Sequence, residues 1–434
     1  MKQNNKSLLV LTALPFRKQG NQSMLRFIQM LIRENHRVCL ISSGSDNRGC
    51  NTLIHDNFVY KKFLSINFSI INFISKISFK KMKTSRNWIE FKSNDILVDS
   101  SKFKLKNVIA SWLKFGLQII DNIILLFYIL IVFNFKIFNY RAIISYEYYY
   151  FLTSKIISSI FFIKHINKFQ GTYLKASYGK KKSMIFSYPH LYYGINNSDL
   201  TIMVNDGTDG EYYADLRKCK NIFFEPHGVS IDEYLENKNI PVELIDIFNN
   251  NIVFINMASG SSWKRVDRII RACQYIDKKL LNKIKIITTY YGPGLSDLKQ
   301  YCSHLGLSNT IIFCDKLDHV ECNSLLRKSH ALISVNDFSN LGNPVLEAIY
   351  YGTPIISIND GSLNGFLSHN IDSKLIDVND EFDKSLAGAI EEFSQNEKYY
   401  FKIKKAIINN KKINSLIVQQ KKEYSEINKT LRGV

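Results

Sequence analysis

Twice along the chain, continuous apolar runs alternate with stretches whose apolar residues fall at helical spacing, and no other feature constrains the fold as much. SLLVLTAL at 7–14 is followed by Met24, Phe27, Ile28, Leu31 and Ile32, and then by RVCLISSG at 37–44. Apolar positions three and four residues apart mark one face of a helix, so this opening is a strand–helix–strand unit. RAIISY at 141–146, HINKF at 165–169, LTIMV at 200–204 and KNIFFEP at 220–226 read as further strands of the same sheet. The second half repeats the pattern with NIVFINMA at 251–258, IKIITTYY at 284–291, TIIFCD at 310–315, HALISVN at 330–336, TPIISIN at 353–359 and KLIDVN at 374–379. Strands apolar on both faces belong to parallel sheets covered by helices. The pattern predicts two doubly wound α/β domains joined through the polar stretch 232–251, while residues 45–105 show no clear periodicity. In such sheets ligands bind beyond the carboxyl ends of the strands, which makes a cleft shared by the two domains the default site.

One short segment has chemistry readable from its residues alone. In SNLGNPVLEAIYYGTPII at 339–356, Asn343 reads as a helix N-cap and Pro344 suits the first helical position. Gly352 suits a left-handed residue after the helix, and Pro354 forbids its continuation. Gly342 permits close approach to the loop, and first-turn amides offer unpaired donors and partial positive charge, so an anion such as a phosphate fits there. Glu347 is the single acidic residue on this helix. Without a ligand, the same segment is an ordinary capped helix of an α/β domain.

Composition and charge narrow the partners. With 434 residues, 46% hydrophobic and only 7 Pro and 20 Gly, the chain can fill two or three packed cores and is neither collagen-like nor low in complexity. Seven scattered Cys with no C-x-x-C pair read as reduced thiols, not a disulfide frame or zinc site. Lys2 and Lys6 precede the first apolar run as in a leader peptide, but Arg17 and Lys18 follow it without a cleavage site, so it reads as a strand. The longest wholly apolar run, Ile123 to Phe133, has 11 residues against about 20 needed to cross a bilayer, and no spanning helix is expected. The net charge of +19 is uneven: residues 1–200 carry 29 Lys and Arg against 9 Asp and Glu, and residues 401–434 carry 9 against 2. Such an excess implies a polyanion. At 60–83, Lys61, Lys62, Lys76, Lys80, Lys81 and Lys83 are interleaved with Phe63, Ile66, Phe68, Ile70 and Phe73. That suits an interfacial segment on an anionic membrane surface better than a base-stacking groove, and no nucleic-acid reader motif occurs. A solvated basic face over a core helix is the plain alternative.

Four stretches occur in a telling order: PHGVSIDEY at 226–234, WKRVDRIIRA at 263–272, YYGPGLSDL at 290–298 and the segment at 339–356. Together they resemble the donor-lobe motifs of the retaining GT-B enzymes of glycosyltransferase family 4. The resemblance covers about residues 221–400; the first half matches only by its opening strand, the Gly20 loop and a helix. It implies a GT-B fold of two Rossmann-like domains facing a cleft: 1–235 for the acceptor, 250–400 for the nucleotide-sugar donor, and a helical tail, 401–434, returning to the first lobe. Lys264 and Glu347 are the implied catalytic pair. Glu347 would hold the donor's ribose hydroxyls, the amides of Leu341, Gly342 and Asn343 its diphosphate, and Lys264 would neutralise the phosphates. Gly20, Arg268, Gly292, Ser339 and Asn340 complete the implied donor site. No D-x-D sequence occurs, so no metal or other cofactor is expected.

The departures from the family pattern bear on activity. Ser339 stands where the signature has its first glutamate, and no arginine precedes Lys264. The acceptor-lobe histidine is not found either: RAIISY is followed by Glu147 and Tyr148, and the next position of interest reads Gln170, Gly171, Thr172. The resemblance implies a retaining, metal-independent glycosyltransferase moving sugar from a nucleotide-sugar to a lipid-linked or glycan acceptor in cell-surface polysaccharide biosynthesis. Its implied location is cytoplasmic, peripheral on the inner face of the plasma membrane. The alternative is a catalytically silent GT-B scaffold or partner subunit, which Ser339 and the missing arginine would permit.

Overall fold

The computed structural model describes residues 7–14, 16, 22–43, 55–66, 105–133, 136–172, 181–230, 240–258, 262–292, 294–314 and 317–433. These form two compact units, one from residues up to Glu225 together with 419–433, the other from Pro226 to Val418.

In the first unit, β1 (Ser7–Thr12), α1 (Gln22–Arg33) and β2 (Arg37–Ser42) form the expected opening unit. β3 (Phe58–Lys62), α2 (Leu105–Val132), β4 (Tyr140–Tyr146), α3 (Phe151–Phe161), β5 (Lys164–Phe169), β6 (Leu200–Val204) and β7 (Ile222–Glu225) follow. The strands pair in parallel in the order β3-β2-β1-β4-β5-β6-β7, so the chain reverses its direction across the sheet between β1 and β4. Every residue of β1 is buried because both faces are covered. Leu8 and Val10 pack on one face with Met24, Ile28 and Leu31 of α1, and Leu9 and Leu11 on the other with Leu125 and Ile129 of α2.

Two features of this unit differ from the sequence reading. β3 lies inside the stretch that showed no periodicity, because Phe58–Lys62 is a half-exposed edge strand of mixed character. α2 is a helix whose segment Val108–Val132 is long and apolar enough, by length and composition, to cross a bilayer. Its apolar sequence is not unbroken, because Lys114, Gln118, Asp121 and Asn122 interrupt it. Three of those residues dock it. Gln118 and Asn122 donate to the Tyr149 carbonyl at 2.8 and 2.9 Å, and Asp121 accepts from the amide of Ile66 at 2.8 Å and the hydroxyl of Tyr149 at 2.8 Å. Phe63, expected at a membrane boundary, is instead buried against Tyr128 and Tyr150. Phe68, Ile70, Phe73, Lys76, Lys80, Lys81 and Lys83 lie outside the described residues.

The second unit contains β8 (Ile252–Asn256), α4 (Val266–Ala272), β9 (Ile284–Thr288), α5 (Leu295–His304) and β10 (Ile311–Phe313). It continues through α6 (His319–Lys328), β11 (Ala331–Ser334), α7 (Asn343–Tyr351), β12 (Ile355–Ile358), β13 (Lys374–Ile376), α8 (Phe382–Gln395) and α9 (Glu397–Ile408). Its parallel sheet has the order β10-β9-β8-β11-β12-β13, with the reversal between β8 and β11. Ile403 and Ile407 of α9 are buried in the cores of this unit, so the chain leaves it later than residue 401. α10 (Leu416–Arg432) then packs on the first unit. There Ile427 and Leu431 join the α1 face, Lys168 pairs with Glu423 at 2.8 Å, and Arg141 donates to the Leu431 carbonyl at 2.9 Å.

Candidate functional site

Most of the described donor-site candidates follow the carboxyl ends of strands of the second sheet. Lys264 lies after β8, Gly292 after β9, and Ser339 to Asn343 after β11. Because the chain leaves β8 toward β9 on one side and β11 lies on the other, this is the topological switch point where open α/β sheets bind ligands. Gly20 lies outside the described residues.

The loop after β11 is held from within. Asn340 is fully buried; its side-chain oxygen accepts from the Asn336 amide at 3.1 Å, and its side-chain nitrogen donates to the Asn336 carbonyl at 3.1 Å and to Asp360 at 3.2 Å. Ser339 has φ of 55°, a left-handed conformation that turns the chain toward the helix. α7 begins one residue earlier than the sequence reading placed it: Gly342 is the N-cap in extended conformation and Asn343 is already helical, with Pro344 in the first turn. Gly342 has no side chain to cap the helix, Pro344 carries no N–H, and the Val345 amide donates to the Gly342 carbonyl at 3.0 Å. Leu341 points into the core. Gly352 ends the helix with φ of 72°, as expected.

Glu347 faces inward from α7 and is 5% exposed. Its Oε1 lies 3.0 Å from Nε2 of His319, the first residue of α6. α6 itself is fixed by a capping box in which Asp318 and Glu321 each accept from the other's amide. His319 is a residue the sequence reading missed; its pairing with Glu347 spans 28 positions and no local motif signals it.

Lys264 ends a short 3₁₀ turn, Ser262–Lys264, that is tied to the β11 loop. Asp337 donates its amide to the Trp263 carbonyl at 2.9 Å, and the Trp263 and Phe338 rings stack at 4.6 Å. The Lys264 ammonium lies 4.0 Å from the centre of the Trp263 ring, and burial lowers its pKa from 10.5 to about 8. Thus the lysine is brought to the same loop as Ser339–Asn343 across more than 70 positions of sequence, by contacts of Trp263, Phe338 and Asp337 that the motifs did not reveal.

Arg268 is held elsewhere. It is 2% exposed, donating to the Val335 carbonyl at 2.7 Å and to Asp337 at 2.8 Å. Arg265 bonds Asp267 and Asp337, and Arg271 bonds Asp267 and Asp383, so three arginines and three aspartates form one network. Burial opposes ionisation of Asp267, but Arg265 and Arg271 outweigh it and hold its carboxyl below the usual range. Burial lowers the Arg268 guanidinium to about 10. The arginine expected to face a donor therefore anchors the loop from behind.

Gly292 and Gly294 have φ of 96° and 86°, conformations that favour glycine and let the chain turn sharply from β9 into α5. In the first unit, Glu147 at the end of β4 also has positive φ, 67°, and its Oε1 accepts from the Gln170 amide at 2.9 Å. Loss of hydration raises its carboxyl from 4.5 to about 8. Among the described residues no group of three or more His, Cys, Asp or Glu is placed to hold a metal ion.

Two parallel sheets, each reversing at a switch point, the second with a lysine-bearing turn tied to the loop after β11, are the architecture of the GT-B fold. Residues 243–412 match the family model described as Glycosyl transferases group 1. The alpha-1,3/1,6-mannosyltransferase ALG2 of Dictyostelium discoideum is 32% identical over 136 residues, which is 31% of this chain and 29% of that protein. The chain is also similar in structure to Anabaena Alr3699/HepE solved with UDP, at a TM-score of 0.63, 12% identity and coverage of 97% of this chain and 99% of that one. A further likeness is to WaaG, a glycosyltransferase involved in lipopolysaccharide biosynthesis, at a TM-score of 0.56, 10% identity and coverage of 96% and 98%. At these identities the two structures speak to the fold, which is GT-B throughout.

Proposed function

We propose that the chain is a retaining glycosyltransferase that transfers a sugar from a nucleotide-sugar donor to a lipid-linked glycan acceptor at the inner face of the plasma membrane, in cell-surface polysaccharide biosynthesis. The observation that carries the donor half of this reading is the joining of Lys264's turn to the β11 loop, with Glu347 one turn behind it on α7. The donor's diphosphate would lie on the amides of Leu341, Gly342 and Asn343 and beside Lys264, and Glu347 would accept from the ribose hydroxyls. As the anomeric C–O bond breaks, its electron pair passes to the leaving phosphate oxygen. The growing negative charge is met by the ammonium and the helix-end amides, which are already oriented and so require little reorganisation. The acceptor oxygen forms its bond on the face the leaving group vacates, and the acceptor proton departs with it.

HepE binds UDP and UDP-glucose, and the curated relative is a mannosyltransferase, so a donor panel must span both sugar classes. The lipid-linked acceptor and membrane location rest on the basic first half and on WaaG's role in lipopolysaccharide biosynthesis. The test is a thermal-shift screen against nucleotide sugars, followed by transfer to a lipid-linked acceptor with the product's anomeric configuration read by NMR. Stabilisation by one donor and a product of unchanged configuration support the reading. A product of opposite configuration removes retention, and donor binding without turnover turns the reading to a silent scaffold, which Ser339 would favour.

A further inference from the structure

Glu347 is nearly closed off from water. Its side chain is 7% exposed, and among the described residues the carboxylate has one hydrogen-bond partner, the His319 imidazole at 3.0 Å. A carboxylate can accept in about four directions. Buried and so thinly satisfied, it is costly by itself and suited to a ligand that brings hydroxyl donors. The direction in which it accepts is set by His319.

The tautomer of the ring follows from the partners on its two sides. An ionised carboxylate only accepts, so Nε2, the nitrogen facing Oε1 of Glu347, must carry a proton. Nδ1 lies 3.4 Å from the side-chain nitrogen of Asn323, one turn on in α6, and an amide nitrogen only donates. Nδ1 is then the acceptor, and a neutral ring with its proton on Nε2 satisfies both neighbours. Asn323 donates to His319 and His319 donates to Glu347, a relay of two bonds that ends on the carboxylate.

The ring has little freedom to turn away. The capping box of Asp318 and Glu321 fixes the first turn of α6, where His319 sits. Leu325 and Leu326 of α6 share one core with Val345, Leu346 and Ile349 of α7, and the Thr353 hydroxyl, just beyond α7, donates to the Leu326 carbonyl at 3.1 Å. We propose that His319 is a positioning residue for the nucleotide: its Nε2–H holds Oε1 of Glu347 and so leaves Oε2 to receive the two ribose hydroxyls of a nucleoside diphosphate. This role rests on the reading of Glu347 as the ribose acceptor and adds to it a residue that acts through the carboxylate. A merely structural tie between α6 and α7 would need the bulk of the ring and not its proton.

The experiment titrates UDP, GDP and ADP into the full chain and carries the tightest binder forward in its ribo and dideoxyribo forms, against wild type, His319→Phe and His319→Gln. Phenylalanine keeps a ring without a donor, and glutamine can place an amide N–H near the position of Nε2. Thermal unfolding of each variant serves as the folding control. Wild type is expected to prefer the ribo form by about 10- to 150-fold, the range for hydrogen bonds to a charged group. His319→Phe should weaken the ribo form by about 2- to 10-fold, the scale of one ordinary hydrogen bond, and leave the dideoxyribo form unchanged. His319→Gln should recover part of that loss. Equal weakening of both forms in His319→Phe, or an undiminished preference for the ribo form, would overturn the positioning role while leaving Glu347 in place. Equal binding of both forms by wild type would overturn the ribose role of Glu347, and the role of His319 with it.

Discussion

Lys264 carries the heaviest demand placed on any single side chain. Burial lowers its pKa to about 8, so a diphosphate beside it gains a partner that is charged at neutral pH and poorly hydrated, which strengthens the attraction. Lys264→Ala should lower turnover by roughly 10²–10³ at saturating donor, the scale for losing one preorganised electrostatic donor. Steady-state rates check this. Glu147 sets a different test. Its folded carboxyl titrates near 8 against 4.5 ordinarily, so between those values the native state holds a proton that the unfolded chain has released. Its contribution is full below about pH 4.5 and is lost as pH rises through about 8. Glu147→Gln should flatten the fall in unfolding midpoint across that window, as scanning calorimetry at several pH values would show. Lys264 and Glu347 stand out as candidates in the sequence because each sits in a motif with its own spacing. His319 and the inward turn of Arg268 were not legible, since both depend on partners brought close only by the fold: Glu347 for one, Val335 and Asp337 for the other.

At the scale of elements, the strands were legible wherever both faces are covered, as in β1 and β8, because continuous apolar sequence leaves them no other place. β3 was not, because an edge strand half exposed to solvent carries no such run. α2 was hidden for the converse reason: its buried face carries Gln118, Asp121 and Asn122, polar groups made tolerable by partners from residues 65–66 and 148–153. The N-cap of α7 shifted by one residue because Gly342 adopts the extended cap conformation and leaves Asn343 to start the helix. The other end of α7 tests the packing. Gly352 is left-handed, and a Cβ there would lie 2.6 Å from Cγ1 and 3.2 Å from Cα of Ile408 in α9. Gly352→Ala should destabilise the second unit by about 1–3 kcal/mol, the cost of a left-handed non-glycine residue with a displaced neighbour. Chemical denaturation measures it.

For the whole molecule, the charge division follows the division into units. Among the described residues, the basic residues before Glu225 and those of α10 from Lys421 onward belong to one unit, and the stretch matching the group 1 model lies in the other. α10 is also structural. Glu423 neutralises Lys168, whose side chain is 4% exposed, and Ile427 and Leu431 fill the α1 face. Truncation after Ser415 should leave a buried, unpaired lysine and an open core, lowering the first unfolding transition while donor binding in the second unit survives. Calorimetry with and without nucleotide separates the two.

The central claim is that a nucleotide-sugar donor is held at the β11 loop by Lys264, the α7 amides and Glu347. Isothermal titration of the best nucleotide donor into wild type, Glu347→Gln and Lys264→Ala tests it most directly. Saturable binding to wild type is expected, weakened in Glu347→Gln by about 1.5–3 kcal/mol, the range for a hydrogen bond to a charged group, and weakened further in Lys264→Ala. Equal affinity in all three proteins would contradict it.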